Sequence, residues 1–198
     1  CQAGLVRGRE DLERFLVAQI EGSAGPCDAT AAVGALRAAA REDLQVCRDI
    51  DATLEAMKPV KEFREGSRQM GRQTLRVAAA LTDEGRLARY AADVDKGLAP
   101  GHHAVAYGLA AAALGWEPEW AATAYLYSTT ALLVGAALRL LSMGQMEGQR
   151  VLWGLHPVIE RVAREAAARE AGDLWSFAPG IEIAGIRHAS LEMRLFRS

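Results

Sequence analysis

Residues 97–138 read GLAPGHHAVAYGLAAAALGWEPEWAATAYLYSTTALLVGAAL, and the only acidic or basic side chains among them, histidines aside, are Glu117 and Glu119. Apolar residues recur at spacings of three and four, which is typical of helices. The stretch predicts two helices, His102–Leu114 and Glu119–Leu141, joined by a turn at residues 115–118. Because a helix that is apolar on all sides is normally buried, we expect a buried central helix hairpin.

The same stretch raises a membrane alternative. Residues 97–116 and 120–138 carry no charge, and each run is close to the length that crosses a bilayer. Their apolar residues are mostly Ala, Gly and Thr, and two histidines interrupt the first run, so transfer into lipid is weakly favourable. The interpretation as a buried core is favoured, and a small helical membrane-associated protein remains the alternative.

Helical spacing continues through the rest of the 198 residues, and strand-like alternation never persists. Hydrophobic residues make up 51% of the chain but aromatic residues only 6%, so small side chains dominate the predicted core. These features predict an all-α protein: one domain over residues 1–198, built as a bundle of about eight helices. The predicted helices are Arg9–Glu21, Asp28–Arg41, Asp43–Met57, Pro59–Leu81, Gly85–Asp95, His102–Leu114, Glu119–Leu141, Gly148–Ala171 and Glu182–Leu195.

Local signals set the expected helix ends. The run Gly22-Ser23-Ala24-Gly25-Pro26 is predicted to break the chain after the first helix, and Asp28 to cap the second. Pro157 is predicted to kink or divide the helix that contains it. The chain starts at Cys1 without a methionine, so we expect a preceding N-terminal segment to be missing.

Charge and cysteine content narrow the class of protein. The net charge of −2 argues against a nucleic-acid partner. Cys1, Cys27 and Cys47 are odd in number and form no C-x-x-C pair, which favours free thiols in a reducing compartment. No signal peptide is visible, and the buried-core interpretation of residues 97–138 predicts that the protein has no membrane partner.

Signatures of enzymes and metal sites are missing from the sequence. No lysine follows a glycine, so there is no P-loop, and the G-x-S-x-G nucleophile motif does not occur. His102 and His103 are adjacent, so on a helix they point about 100° apart and poorly suit one ion. We expect no catalytic, cofactor-binding or metal-binding residue, and keep a metal-binding regulatory protein as an alternative.

Four arginines form a ridge on the helix predicted after Pro59. Arg64, Arg68, Arg72 and Arg76 recur every four residues, beside an apolar seam that a neighbouring helix can approach closely. Such a charge run is either a solvated face or a docking ridge for an acidic partner.

Two further segments offer contact chemistry. Met143-Gly144-Gln145-Met146-Glu147-Gly148-Gln149 predicts a tight turn with exposed amides, and Arg139 precedes it after a long apolar run. The final helix ends in Arg194-Leu195-Phe196-Arg197-Ser198, which is either a fraying terminus or an interface anchor.

These segments resemble the urease accessory proteins of the UreF family. The resemblance is carried by residues 61–72 (KEFREGSRQMGR), 101–108 (GHHAVAYG), 137–150 (ALRLLSMGQMEGQR) and 179–198 (PGIEIAGIRHASLEMRLFRS). It implies a cytoplasmic, all-helical, non-catalytic scaffold, often a homodimer, that regulates a GTPase. Its implied partners are UreD (UreH in some bacteria), UreG and apo-urease, and the partner GTPase carries the nickel. The residues expected to bind partners are Arg139, Gly144, Gln145, Glu147, Gly148, Gln149, Arg187, His188, Arg194, Leu195, Phe196, Arg197 and Ser198.

Overall fold

The computed structural model describes residues 6–188, which form nine α-helices, one π-helical segment and no strand. The all-α prediction is therefore confirmed. The helices are α1 (Arg9–Gln19), α2 (Thr30–Ala40), α3 (Leu44–Met57), α4 (Lys61–Leu81), α5 (Gly85–Asp95), α6 (His103–Ala113), α7 (Pro118–Leu140), α8 (Gln145–Ala168) and α9 (Pro179–His188).

Local chemistry accounts for several helix starts. The Asp43 side chain accepts a hydrogen bond from the Val46 backbone N–H at 3.2 Å and so caps α3. Pro118 is the first residue of α7, where its missing N–H costs nothing. At the start of α8, the Gly144 backbone N–H donates to Glu147 Oε2 at 3.1 Å.

The centre of the molecule is α2, a helix made almost entirely of Ala, Gly, Val and Leu. All of its residues but Arg37 and Ala40 are buried. It packs most extensively on α6 and also contacts α3, α7 and α8. A Cβ atom at Gly108 of α6 would lie 2.2 Å from the Ala32 carbonyl oxygen, so the two backbones approach too closely for any side chain there.

The central hairpin predicted for residues 102–141 requires correction. The helices α6 and α7 follow one another, but α6 packs along α2 and α4, whereas α7 packs along α8. Contact between α6 and α7 runs largely through rings, with Tyr107 and Tyr125 5.1 Å apart between ring centroids. The small side chains of α2 let neighbouring helices pack around it, and α7 keeps one face open to solvent, including Trp120 and Leu132.

The predicted break at residues 22–26 is also wrong. The backbone stays helical from α1 to α2 through the wider π-helical segment Ile20–Ala29, which contains Pro26. The glycines there serve close packing: a Cβ at Gly25 would lie 2.1 Å from Val162 Cγ1, and one at Gly22 would lie 2.7 Å from the Phe177 carbonyl oxygen. Asp28 caps no helix, because its carboxylate pairs with Lys58 Nζ at 2.7 Å.

Helix α8 runs without a break from Gln145 to Ala168, although Pro157 lies within it. The expected division of this helix does not occur. Its buried side, which includes Val151, Leu155 and Ile159, packs against α7 and the π-helical segment on both sides of the proline. Tertiary packing therefore offsets the backbone hydrogen bond that the proline cannot donate.

Candidate functional site

The arginine ridge of α4 divides into a structural half and an exposed half. Arg64 and Arg68 each lie 3.4 Å from Glu55 Oε1 on α3, and Arg64 also donates to the Lys58 carbonyl oxygen at 2.7 Å. These two arginines are partly buried and tie α4 to α3. They are therefore poorly placed to meet a partner.

Arg72 and Arg76 form the exposed half of the ridge. Both line a groove of about 430 Å³ between α4 and α5, with Asp95 on the opposite wall. Arg76 donates to the neutral Gln73 Oε1 at 2.7 Å. This half of the ridge suits contact with carboxylates of a partner.

A buried polar network lies beneath the ridge, centred on Asp51. Its carboxylate accepts three hydrogen bonds: from the Tyr90 hydroxyl at 2.8 Å, the Gly101 N–H at 2.7 Å and the His102 N–H at 2.9 Å. Asp51 is completely buried, so these bonds replace its hydration. The network fixes the loop before α6 on α3 and α5.

The imidazole of His102 extends this network to α4. His102 Nε2 lies 3.0 Å from Glu55 Oε2, and Nδ1 lies 3.1 Å from Ser67 Oγ. A carboxylate only accepts, so the neutral ring carries its proton on Nε2 and accepts from the serine at Nδ1. Burial lowers the pKa of His102, which favours that neutral form, although Asp51 and Glu55 oppose the shift.

Two glycines make room for the network. A Cβ at Gly71 of α4 would lie 2.0 Å from the Gly101 carbonyl oxygen and 2.7 Å from the His102 carbonyl carbon. Gly101 itself has a φ of 80°, a left-handed conformation that other residues rarely adopt. The GHH and MGR segments therefore meet in the fold, and the contact between them is structural.

The apolar seam of α4 is only partly covered. The last described helix, α9, docks on its first turn, where a Cβ at Gly185 would lie 2.7 Å from Phe63 Cζ and 2.9 Å from Val60 Cγ1. Farther along, Met70, Val77 and Leu81 are exposed. The expected close approach of a neighbouring helix is found where the start of α6 meets α4, with His102 Nδ1 3.1 Å from Ser67 Oγ, and the far end of the seam stays exposed.

The turn predicted at residues 143–149 lies between α7 and α8. Gly148 is buried, with the place of its absent Cβ 3.1 Å from Leu138 Cδ1, and Glu147 caps the helix, so both residues serve the fold. Gln145 and Gln149 are exposed, so a partner can reach their amides. Gly144 is exposed as the N-cap, and Arg139 is exposed in the last turn of α7.

The residues of the terminal anchor lie largely outside the described part of the chain. Arg187 is exposed on α9, and His188 is the last residue of that helix. Arg194, Leu195, Phe196, Arg197 and Ser198 lie beyond residue 188. The anchor therefore stays a prediction.

One prominent surface was not singled out from the sequence. Trp120 on α7 and Trp153 on α8 are 76% and 75% exposed, and Tyr127 and His156 lie close to them. The signal that identifies this surface is two tryptophans on helices that pack against each other. Helical spacing alone did not reveal which faces of α7 and α8 remain uncovered.

The described residues offer little for covalent or metal chemistry. Burial raises the pKa of both the Cys27 and the Cys47 thiols to about 12, so both stay protonated and unreactive. Within residues 6–188, no three His, Cys, Asp or Glu side chains cluster in a way that suits a metal ion. What the surface does offer is charge, amides and aromatic rings for contact with proteins.

Comparison with known proteins identifies similar sequences over most of the chain. The family model for UreF matches residues 6–156. The urease accessory protein UreF of Trichodesmium erythraeum (strain IMS101) is 29% identical over 195 residues, which cover 98% of this chain and 84% of that protein. UreF of Bacillus sp. (strain TB-90) is 33% identical over 150 residues, covering 76% and 66%. UreF of Sporosarcina pasteurii is 28% identical over 193 residues, covering 98% and 96%.

Proposed function

Because this chain belongs to the UreF family of urease accessory proteins, we propose that it acts in urease maturation as a non-catalytic scaffold. Its partners are UreD or UreH and the GTPase UreG, and the complex assists nickel insertion into apo-urease. Nickel is the cargo and travels on the GTPase, so the scaffold needs no cofactor of its own. The observation that carries the proposal is the family match over residues 6–156.

The geometry supports contact surfaces on two sides of the bundle. Arg72 and Arg76 offer exposed guanidinium groups on α4, and α9 docks beside the first turn of the same helix. Gln145, Gln149 and Arg139 are exposed at the turn between α7 and α8, near α1. A scaffold that binds different partners at separate surfaces couples them through differential affinity, without chemistry of its own.

The proposal includes a cytoplasmic homodimer. Two observations support this part: buried free thiols at Cys27 and Cys47 suit a reducing compartment, and the exposed apolar side chains Val77 and Leu81 of α4 offer area for association. Light scattering of the isolated chain tests the dimer.

The decisive experiment is size-exclusion chromatography with light scattering on the chain mixed with a UreD- or UreH-type partner. Coelution at a defined stoichiometry is expected. Truncation after Met193 should abolish coelution while circular dichroism remains helical, because the lost residues follow the described bundle. Unchanged coelution of the truncated chain would remove the terminal anchor from the proposal, and failure of the full chain would contradict the scaffold role.

The alternative of a membrane-associated protein rests on one helix. Within residues 6–188, Pro118–Leu140 is long and apolar enough to cross a membrane, and 39% of its most apolar window is buried in the bundle. Core helices of soluble proteins meet the same criteria, so this support is weak. Sedimentation with vesicles tests the membrane alternative. Nickel titration of the isolated chain tests the second alternative, a metal-binding regulatory protein.

A further inference from the structure

A groove of about 460 Å³ lies between the first half of α7 and the second half of α8, on the surface that carries Trp120. Its walls include Trp120 and Tyr127 from α7 and His156 and Ile159 from α8. The volume falls in the range of sites that hold a side chain or a small ligand. The groove is open to solvent along one side, so its occupant can be part of a larger molecule.

Aromatic rings dominate this groove and remain accessible. The centroid of the His156 ring lies 5.9 Å from that of Tyr127 and 5.1 Å from that of Trp153, which adjoins the groove. Trp120 and Trp153 are each about three-quarters exposed. Tryptophan and tyrosine are the residues that contribute most to binding at protein interfaces, and large exposed aromatic patches are uncommon on monomers.

Two carboxylates give the groove its charge. Glu119 and Glu160 both line it, and neither forms an ion pair with another residue in the described part of the chain. Arg164 reaches Glu160 only at its backbone carbonyl oxygen, at 3.4 Å, and Arg161 is held by Glu21 and Glu165. The groove therefore combines π faces with uncompensated negative charge.

We propose that this groove binds an arginine side chain presented by a protein partner. A guanidinium group stacks on Trp or Tyr faces and donates in a fork to carboxylates, which matches Trp120, Tyr127, Glu119 and Glu160. Lysine matches less well, because its compact ammonium does not stack and is more strongly hydrated. The exposed ring of Trp153, next to His156, favours an arginine carried on an otherwise apolar segment. This inference does not depend on the proposed function.

The test uses a capped peptide, Ala-Leu-Arg-Leu-Ala, and the same peptide with citrulline, the neutral isostere of arginine. Binding is followed on the full chain by NMR of the tryptophan indole N–H signals. The arginine peptide should shift the Trp120 signal saturably, and the citrulline peptide should bind about tenfold more weakly. The variant Glu119→Gln/Glu160→Gln should lose the same factor, whereas Glu10→Gln/Glu170→Gln, a matched pair of exposed carboxylates elsewhere, should not.

Three results would overturn the inference. The first is no shift of the Trp120 signal at about 10 mM peptide, a concentration that populates even weak complexes. The second is equal binding of the citrulline peptide, which would assign the groove to apolar ligands. The third is a dimer of the isolated chain that Trp120→Ala converts to a monomer, because a second copy would then occupy the groove.

Discussion

Glu55 and His102 share a hydrogen bond of 3.0 Å, and the other oxygen of the same carboxylate lies 3.4 Å from both Arg64 and Arg68. One glutamate thus joins the loop before α6 to two arginines of the ridge. Arg64 and Arg68 therefore stabilise the fold, and Arg72 and Arg76, the exposed half of the ridge, remain accessible to a partner. This division makes the two halves separable by mutation.

Reversing the exposed half, with Arg72→Glu and Arg76→Glu, should weaken binding of an accessory partner by tenfold or more at low salt, because like charges then meet across the interface. Unfolding by urea should change by less than about 0.5 kcal/mol, as for most surface substitutions. Arg14→Glu/Arg41→Glu makes the same charge change on other exposed residues. Equal loss of binding in this control would mean that net charge, rather than the ridge, governs affinity.

The variant Arg64→Gln/Arg68→Gln, in the structural half of the ridge, should lose stability and keep its affinity for the partner. We expect a loss of about 1 kcal/mol in the free energy of unfolding, because both arginines are partly exposed and solvent screens their pairs with Glu55. Partner affinity should stay within about twofold, measured at a temperature where the variant is folded. A larger loss of affinity than of stability would place these residues in the interface.

Gly71→Ala should destabilise the protein by about 3 kcal/mol or more, because the new methyl group would meet the backbone at residues 101–103. Gly135→Ala in α7 is the matched control, since nothing lies within 4 Å of its added Cβ. That control should gain about 0.5–1 kcal/mol from helix propensity. Urea denaturation measures the stability of both variants. Equal stabilities would show that Gly71 does not pack closely against the backbone at residues 101–103.

Asp51→Asn should cost about 3 kcal/mol, because an amide nitrogen would face N–H or O–H donors in a fully buried site. Tyr90→Phe removes only one of the three donors and should cost about 1–2 kcal/mol. Thermal unfolding by calorimetry distinguishes them. An asparagine variant no less stable than the phenylalanine variant would argue against the three-bond network.

Stability should fall as the pH drops below about 6.5, the ordinary pKa of histidine. Burial lowers the pKa values of His102 and His103 in the folded state, so the unfolded chain binds protons first as pH falls. Each histidine contributes a slope of at most about 1.4 kcal/mol per pH unit until its folded pKa is reached. His103→Phe keeps a ring against Tyr125 and should flatten the dependence measured between pH 7.5 and 5.5. An unchanged slope would exclude His103 as a contributor.

Gly185→Ala should loosen α9 without unfolding the bundle, since the methyl group would collide with Phe63. Amide hydrogen exchange within Pro179–His188 should accelerate, while exchange in α2 stays the same. Gly180→Ala has no atom within 4 Å of its Cβ and is the control. Similar exchange in both variants would mean that α9 does not depend on this contact.

Helix positions followed from the sequence because local chemistry sets them. Asp43 caps α3, at the start of the helix predicted there, and Pro118, predicted to end the turn before α7, is the first residue of that helix. The family resemblance was confirmed as well, since it rests on local motifs spread along the chain. Features of this kind need no knowledge of which helices touch.

The sequence did not predict which helices pack against each other or which of their faces stay exposed. Small residues at Gly22 and Gly25 suit a chain break and close packing equally well, and only the approach of α8 and of Phe177 distinguishes the two. The division of the arginine ridge depends on Glu55, which reaches α4 only through the fold. The exposed aromatic side of α7 could not be predicted either, because the sequence placed α7 in a buried central hairpin, whereas α2 is the central helix of the structure.

The central position of α2 also has a consequence for synthesis on the ribosome. Its main neighbour, α6, begins at His103, 63 residues after α2 ends at Ala40 (103 − 40 = 63). At translation rates of about 5–20 residues per second, the emerging α2 waits roughly 3–13 s for that neighbour. Alanine and glycine side chains bury less apolar area on association than leucine side chains do. A nascent chain that exposes α2 before α6 is synthesised is therefore protected against premature association with other chains.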